Sequence, residues 1–228
     1  MKKIILSALT VGFLFVSGAA IAQVTYGPKL ALNVSSIHDK SNDGSYTADT
    51  HYESKIGYQI GGMLNAQITD YFAIRPELTF NNIGSKYAKS GITATFNTNY
   101  LMLPVNFVGQ YPISDNFKLQ GFIGGYAALG VGGKFKYDSP IGSGSEKINM
   151  KKDPGNNNNM YQNPWDFGMN FGIGFQAKAF VFSASYSLGL SNLESHYSNS
   201  TDESNRGKYN KTTNRNISFG VAYLFGGK

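Results

Sequence analysis

Phe182-Ser183-Ala184-Ser185-Tyr186-Ser187-Leu188-Gly189-Leu190-Ser191 carries the pattern from which the fold can be read. Its even positions are Phe, Ala, Tyr, Leu and Leu, and its odd positions are Ser, Ser, Ser, Gly and Ser. Successive strand residues point to opposite faces, so the segment predicts a strand with one bulky apolar face and one small polar face. Just upstream, Phe167, Met169, Phe171, Ile173 and Phe175 alternate with Asp166, Gly168, Asn170, Gly172, Gly174 and Gln176. Lys178-Ala179 between the two runs predicts a minimal hairpin turn.

The same alternation recurs outward in both directions and predicts eight strands. The first runs from about Thr25 to Ser36, with Tyr26, Leu30, Leu32 and Val34 opposed to Gly27, Lys29, Ala31, Asn33 and Ser35. The second, about Ile56 to Ile68, opposes Tyr58, Ile60 and Leu64 to Gln59, Gly61 and Asn65. The third sets Phe72, Ile74, Leu78 and Phe80 against Ala73, Arg75, Glu77, Thr79 and Asn81. The fourth, about Thr93 to Tyr111, sets Leu101, Leu103, Val105 and Phe107 against Tyr100, Met102, Asn106 and Gln110. The fifth opposes Leu119, Ile123, Leu129 and Val131 to Lys118, Gln120, Gly124, Tyr126 and Gly130, and the eighth opposes Ile217, Phe219, Val221, Tyr223 and Phe225 to Ser218, Gly220, Ala222 and Leu224.

Loop length alternates as regularly as the residues do. Short turns follow strands two, four and six, at Thr69-Asp70-Tyr71, Pro112 to Asn116 and Lys178-Ala179. Longer polar segments follow the odd strands, at about His38 to Lys55, Gly84 to Gly91, Asp138 to Pro164 and Glu194 to Thr212. Short turns at one end and long loops at the other is the pattern of a transmembrane barrel. The expected fold is therefore all-β: an eight-stranded antiparallel transmembrane β-barrel, porin-like in spanning a membrane with strands, and OmpA/OmpX-like in its up-and-down topology.

The bulkier set is the apolar one, and this decides which face is outside. Eight strands enclose an interior just wide enough for side chains to fill. Gly, Ser, Asn and Gln with Lys29, Arg75, Glu77, Lys118 and Asp166 fit such a lumen, whereas Leu, Ile and Phe on every strand do not. Closure also pairs every backbone amide, as hydrocarbon demands. Tyr26, Tyr58, Tyr71, Phe72, Tyr111, Phe117, Phe180 and Tyr223 fall near strand ends, where interfacial girdles form.

The N-terminus agrees with export. Lys2 and Lys3 precede the apolar stretch Ile4 to Val16, and Ala20-Ile21-Ala22 offers a small-x-small cleavage site before Gln23. Residues 1–22 are thus expected to be a signal peptide and 23–228 the outer-membrane barrel domain. Removing Lys2 and Lys3 lowers the formal charge from +6 to +4, spread along the chain. That mild balance gives no dense basic block for nucleic acid. The absence of cysteine leaves no disulfide framework, thiolate metal site or cysteine nucleophile.

Several motifs together resemble the PorT-type outer-membrane β-barrel family of Bacteroidota. They are Arg75-Pro76-Glu77-Leu78, Tyr100-Leu101-Met102-Leu103-Pro104-Val105, Gly121-Phe122-Ile123-Gly124-Gly125-Tyr126, Asp166-Phe167-Gly168 and Tyr186-Ser187-Leu188-Gly189-Leu190-Ser191-Asn192. The resemblance implies an eight-stranded barrel in the outer membrane of a Gram-negative cell envelope. Many such barrels end in an aromatic residue, whereas here Phe225 is followed by Gly226-Gly227-Lys228.

Candidate chemistry is sparse. His38, His51 and His196 fall in predicted loops, and with Asp39 or Glu53 could in principle gather a metal, but their spacing matches no ligand motif. Asp39 to Gly44 lacks the spacing of a calcium loop. Ser195-His196-Tyr197-Ser198-Asn199 is similar to the His-x-Ser-Asn motif of lipid A deacylases, with Glu203 available to orient the histidine. Arg75 and Glu77 on one lumen face read as members of a salt-bridge network rather than as an ion path.

The expectation is a non-enzymatic barrel, with no catalytic, cofactor or metal residues assigned. Its partners would be outer-membrane lipids and lipopolysaccharide, with an extracellular ligand reached through Asp39 to Glu53, Asp138 to Tyr161 and Ser195 to Lys211, and it would act as a monomer. Two alternatives stand beside it. One is a lipid A deacylase using His196 and Ser198; the other is a soluble, lipocalin-like binding barrel with its apolar face inward.

Overall fold

The computed structural model of the chain describes residues 23–42, 47–89, 91–155, 159–195 and 210–226. Its strands are β1 (Gln23–Asn42), β2 (Thr47–His51), β3 (Glu53–Thr69), β4 (Phe72–Lys89), β5 (Ile92–Ser114), β6 (Phe117–Ser139), β7 (Gly142–Met150), β8 (Tyr161–Gln162), β9 (Trp165–Ala177), β10 (Phe180–Gly189) and β11 (Asn210–Tyr223). Eight of them form a ring in the order β5-β4-β3-β1-β11-β10-β9-β6, with β6 returning to β5. Each pairing around the ring is antiparallel. The first and last strands make the seam, from Lys29↔Ala222 to Ser41↔Asn210. Below it Tyr26 and Phe225 exchange backbone hydrogen bonds of 3.2 and 2.7 Å.

The alternation dictates the faces. Leu32 is 62% exposed while its neighbour Asn33 is fully buried, and β5 alternates buried and exposed without interruption from Tyr100 to Tyr111. The outward rows of Leu, Ile, Phe and Tyr form a surface that water could not solvate cheaply. A soluble barrel with its apolar face inward is overturned by this arrangement. No helix among the described residues is long and apolar enough to cross a membrane; the strands cross instead.

Tight turns close one end at Asp70-Tyr71, Asp115-Asn116 and Lys178-Ala179. Aromatic contacts gird that end: Tyr26–Phe225 at 6.0 Å, Phe180–Tyr223 at 5.0 Å and Phe117–Phe175 at 5.5 Å between ring centroids. Tyr58 stands away from it, stacked on Phe80.

The opposite end departs from the sequence reading. Gly84 to Gly91, expected as a loop, is strand as far as Lys89, and the β4–β5 hairpin turns only between Lys89 and Ile92. β1 continues beyond Ser36 to pair with both β2 and β11, and β6 continues to Ser139 before returning as β7. Backbone pairing needs no apolar face, so strands persist after they leave the lipid and lose their alternation. Opposite Asn99 and Tyr100, β6 carries an extra residue, Val131, between Gly130 and Gly132. Gly132 takes φ +145, and the bulge shifts the alternation of β6 by one residue, bringing Phe135 against Phe96 of β5.

The lumen is packed with side chains. Toward the turn end lie the apolar cluster Met63, Val181, Ala222 and Leu224 and the amide chain of Arg75, Asn65 and Gln120. In the middle, Lys29 Nζ meets Glu77 Oε2 at 2.6 Å, the only ion pair among the described residues. Glu77 thus pairs past β3 with Lys29 of β1 rather than with Arg75, whose guanidinium donates to Asn65 Oδ1 and Gln120 Oε1. Beyond them stands a second apolar layer of Ile83, Tyr100, Met102, Tyr126 and Ala128.

Candidate binding site at the outer mouth

A hydrogen-bonded floor separates the lumen from the hairpin end. The Tyr100 hydroxyl oxygen accepts from Gln162 Nε2 (2.7 Å) and Asn214 Nδ2 (3.3 Å). Asn214 Nδ2 also donates to Asp166 Oδ2 (2.9 Å), and Ser191 Oγ donates to Asp166 Oδ1 (2.9 Å). These groups come from β5, β8, β9, β11 and the segment after β10, so the floor ties separate walls together. Asp166 and Tyr100 were readable as lumen-facing from alternation; their meeting was not.

Above the floor is a cavity of about 210 Å³. Tyr52, Phe96, Ile148 and Leu193 supply aromatic and aliphatic walls, and Asp39, Glu194 and Thr212 supply polar ones. Tyr52 packs edge-on against Phe96 at 6.2 Å, and Phe96 contacts Phe135 at 4.7 Å. Ile148 and Leu193 are buried, which makes those walls firm. Leu193 N donates to Thr212 O (2.9 Å), and Asn192 Oδ1 accepts from Glu194 N (3.2 Å) and Thr212 N (3.0 Å). The segment after β10 is thereby fastened to β11, and the carboxylate of Glu194 is placed by its backbone.

Thr212 Oγ1 lies 3.1 Å from Asp39 Oδ1 and 3.3 Å from Glu194 Oε1. Burial, and then the charge of Asp39, raise the pKa of Glu194, while its bond from Thr212 lowers it. Burial, followed by the charges of Asp39 and Glu194, likewise raises the phenol of Tyr52.

Other sequence candidates fall elsewhere. His38 and His51 face each other in the β1–β2 register, while His196, Ser198 and Glu203 lie outside the described residues. Ser195 Oγ donates to the backbone oxygen of Lys151 at 2.7 Å. Among the described residues no group of three or more His, Asp or Glu side chains comes together. Of the two acids that line the mouth, Asp39 stood out in the sequence beside the histidines and at the head of a predicted binding segment, whereas Glu194 was marked only by its place at the start of a predicted loop. Larger concavities, about 1000 and 550 Å³, lie among outward residues such as Leu30, Ile173, Leu64 and Leu103, and belong to the lipid-facing surface.

A family model described as "Outer membrane protein beta-barrel domain" matches residues 19–195, more than half of the chain. The chain belongs to that family. This outer-membrane barrel resides in the cell outer membrane, with the short-turn end on the periplasmic side by the general rule for such proteins. Among solved structures it is similar to Ail, the attachment invasion locus protein of Yersinia pestis, at 16% identity, covering 89% of this chain and 99% of that one with a TM-score of 0.40. It is also similar to Neisserial surface protein A (10% identity, 88% and 97% coverage, TM-score 0.40). The outer membrane protease OmpT of Escherichia coli shares the likeness at 11% identity, 89% and 96% coverage and a TM-score of 0.30. No curated protein matches the chain.

Proposed function

We propose that this barrel is a non-catalytic surface-binding protein that takes an extracellular ligand at its hairpin end. One observation carries the reading: β1–β2, β4–β5 and β6–β7 run on as paired strands past the apolar rows and surround a firm-walled cavity over a closed floor. A packed lumen leaves recognition to that end. The barrel acts as a monomer whose remaining partners are outer-membrane lipid and lipopolysaccharide on its apolar face, and its chain starts at Gln23 after loss of a signal peptide. A PorT-type affiliation fits the same picture, since Arg75 and Glu77 of the Arg75-Pro76-Glu77-Leu78 motif are buried in the lumen, where they brace the scaffold.

The test is an array of extracellular-matrix proteins and glycans probed with cells displaying the intact chain, or a variant with Lys136–Ser145 replaced by a two-residue turn. At least one saturable ligand should be lost on trimming while the heat-modifiable gel band persists. Identical array patterns for the two chains would overturn the proposal.

A further inference from the structure

The mouth cavity has an electrostatic demand that the described residues lining it leave unmet. Asp39 and Glu194 converge on Thr212, whose hydroxyl has one proton and can serve one carboxylate at a time. Among the described residues no Lys or Arg forms an ion pair with either acid. Each carboxylate therefore faces a like charge in a partly dry pocket, which costs free energy unless a cation enters. Beside them stand the faces and edges of Tyr52 and Phe96 and the aliphatic Ile148 and Leu193.

We propose that this cavity binds an organic ammonium ion. Its head sits between Asp39 and Glu194, and its alkyl tail lies against Tyr52, Phe96 and Ile148. Aromatic rings attract a desolvated ammonium group through their electron-rich faces, and they accept the tail as well. A bare metal ion fits poorly. Calcium takes about 6–8 oxygen ligands, and two carboxylates beside an apolar wall cannot supply them. The proposal rests on the reading of the hairpin end as the binding end, but it specifies a site and a chemistry that can fail separately.

The full mature chain, refolded in octyl glucoside micelles so that no lipid ammonium competes, is titrated calorimetrically with n-butylammonium, n-butanol and calcium. Butylammonium should bind saturably at one site. Asp39→Asn and Glu194→Gln should each weaken it roughly tenfold or more, as expected when one partner of a desolvated charge contact is removed. Both variants keep the heat-modifiable band, which separates lost binding from lost folding. Competition by Nα-acetyllysinamide points to lysine side chains as the source, and competition by putrescine alone points to free amines; either supports the site. Butanol binding as tightly as butylammonium, calcium saturating the same residues, or unaffected variants would overturn it. A positive ligand array with no butylammonium binding would sink this inference and leave the broader function standing.

Discussion

Lys29 and Glu77 form their 2.6 Å ion pair across a strand that lies between them. Lys29 is on β1 and Glu77 on β4, and β3 separates the two in the ring. Opposite Lys29 on β3 stands Gly61, which puts no side chain in the way. The pair is buried at both ends, so it braces the lumen in a medium where an unpaired charge is costly.

Lys29→Met or Glu77→Gln should each destabilise the barrel by about 3 kcal/mol or more, because each strands the other charge. The double replacement should cost less than the sum. Urea unfolding in micelles, followed by the shift of the heat-modifiable band, measures both; additive losses would contradict the coupling.

Gly168→Ala should prevent closure. A Cβ there would lie 2.2 Å from the backbone oxygen of Leu188 and 2.6 Å from the Tyr126 ring, which covers its register partner Gly168. Trimming the ring with Tyr126→Ala should not rescue Gly168→Ala, since the carbonyl of β10 cannot withdraw without breaking the ladder. Recovery of the compact band in that double variant would show the ring to be the sole obstacle.

Lys178→Gly should stabilise the β9–β10 turn. Lys178 holds φ +54, a conformation costing roughly 1–2 kcal/mol for a residue with a Cβ. A gain of about 1 kcal/mol in the unfolding midpoint series is expected, and a loss would mean that the Lys178 side chain contributes something its backbone strain conceals.

Ile123→Arg should cost about 2–4 kcal/mol if its row meets lipid near the midplane. In water the same replacement at a residue 52% exposed would be nearly neutral. Urea titration of the two chains between the bilayer-folded and the urea-solubilised unfolded state gives the difference directly.

Binding of butylammonium should weaken on acidification, starting above the ordinary carboxylate range. Glu194 has its pKa raised in the folded chain by burial and by Asp39, so it takes up a proton earlier than a free glutamate as pH falls. Protonation removes one of the two charges the ligand pairs with, while Asp39, Tyr52, Tyr161 and Thr212 remain around it. The same shift makes the folded mouth relatively more stable below that pKa than above it, because the folded state then binds more protons. Affinity that stays flat through this range would place the ammonium elsewhere.

The membrane-spanning part of this fold was legible because lipid enforces a period of two. Leu101, Leu103, Val105 and Phe107 are exposed and Tyr100, Met102 and Asn106 buried, as alternation alone requires. Beyond Phe80 and Leu101 the constraint lapses: Asn82, Asn97 and Asn99 are polar on strands that nonetheless continue. Polar composition there reads as loop, although the backbone still pairs. The mouth was illegible for a second reason. Asp39, Tyr52, Glu194 and Thr212 come from distant parts of the chain and acquire a common meaning only when β1 meets β11.

That seam also sets the order of events in assembly. Asn33 accepts a hydrogen bond from Ser218, 185 positions along the chain, and every pairing between β1 and β11 has a comparably long span. Contacts of such separation form last, after the loop they close has surrendered its freedom. Until then, both β1 and β11 are open edges able to template another copy. The barrel therefore has no safe half-built state. A chain arrested before β11 docks would be a seed for aggregation rather than a smaller protein, and the cell must keep it escorted until the ends have met.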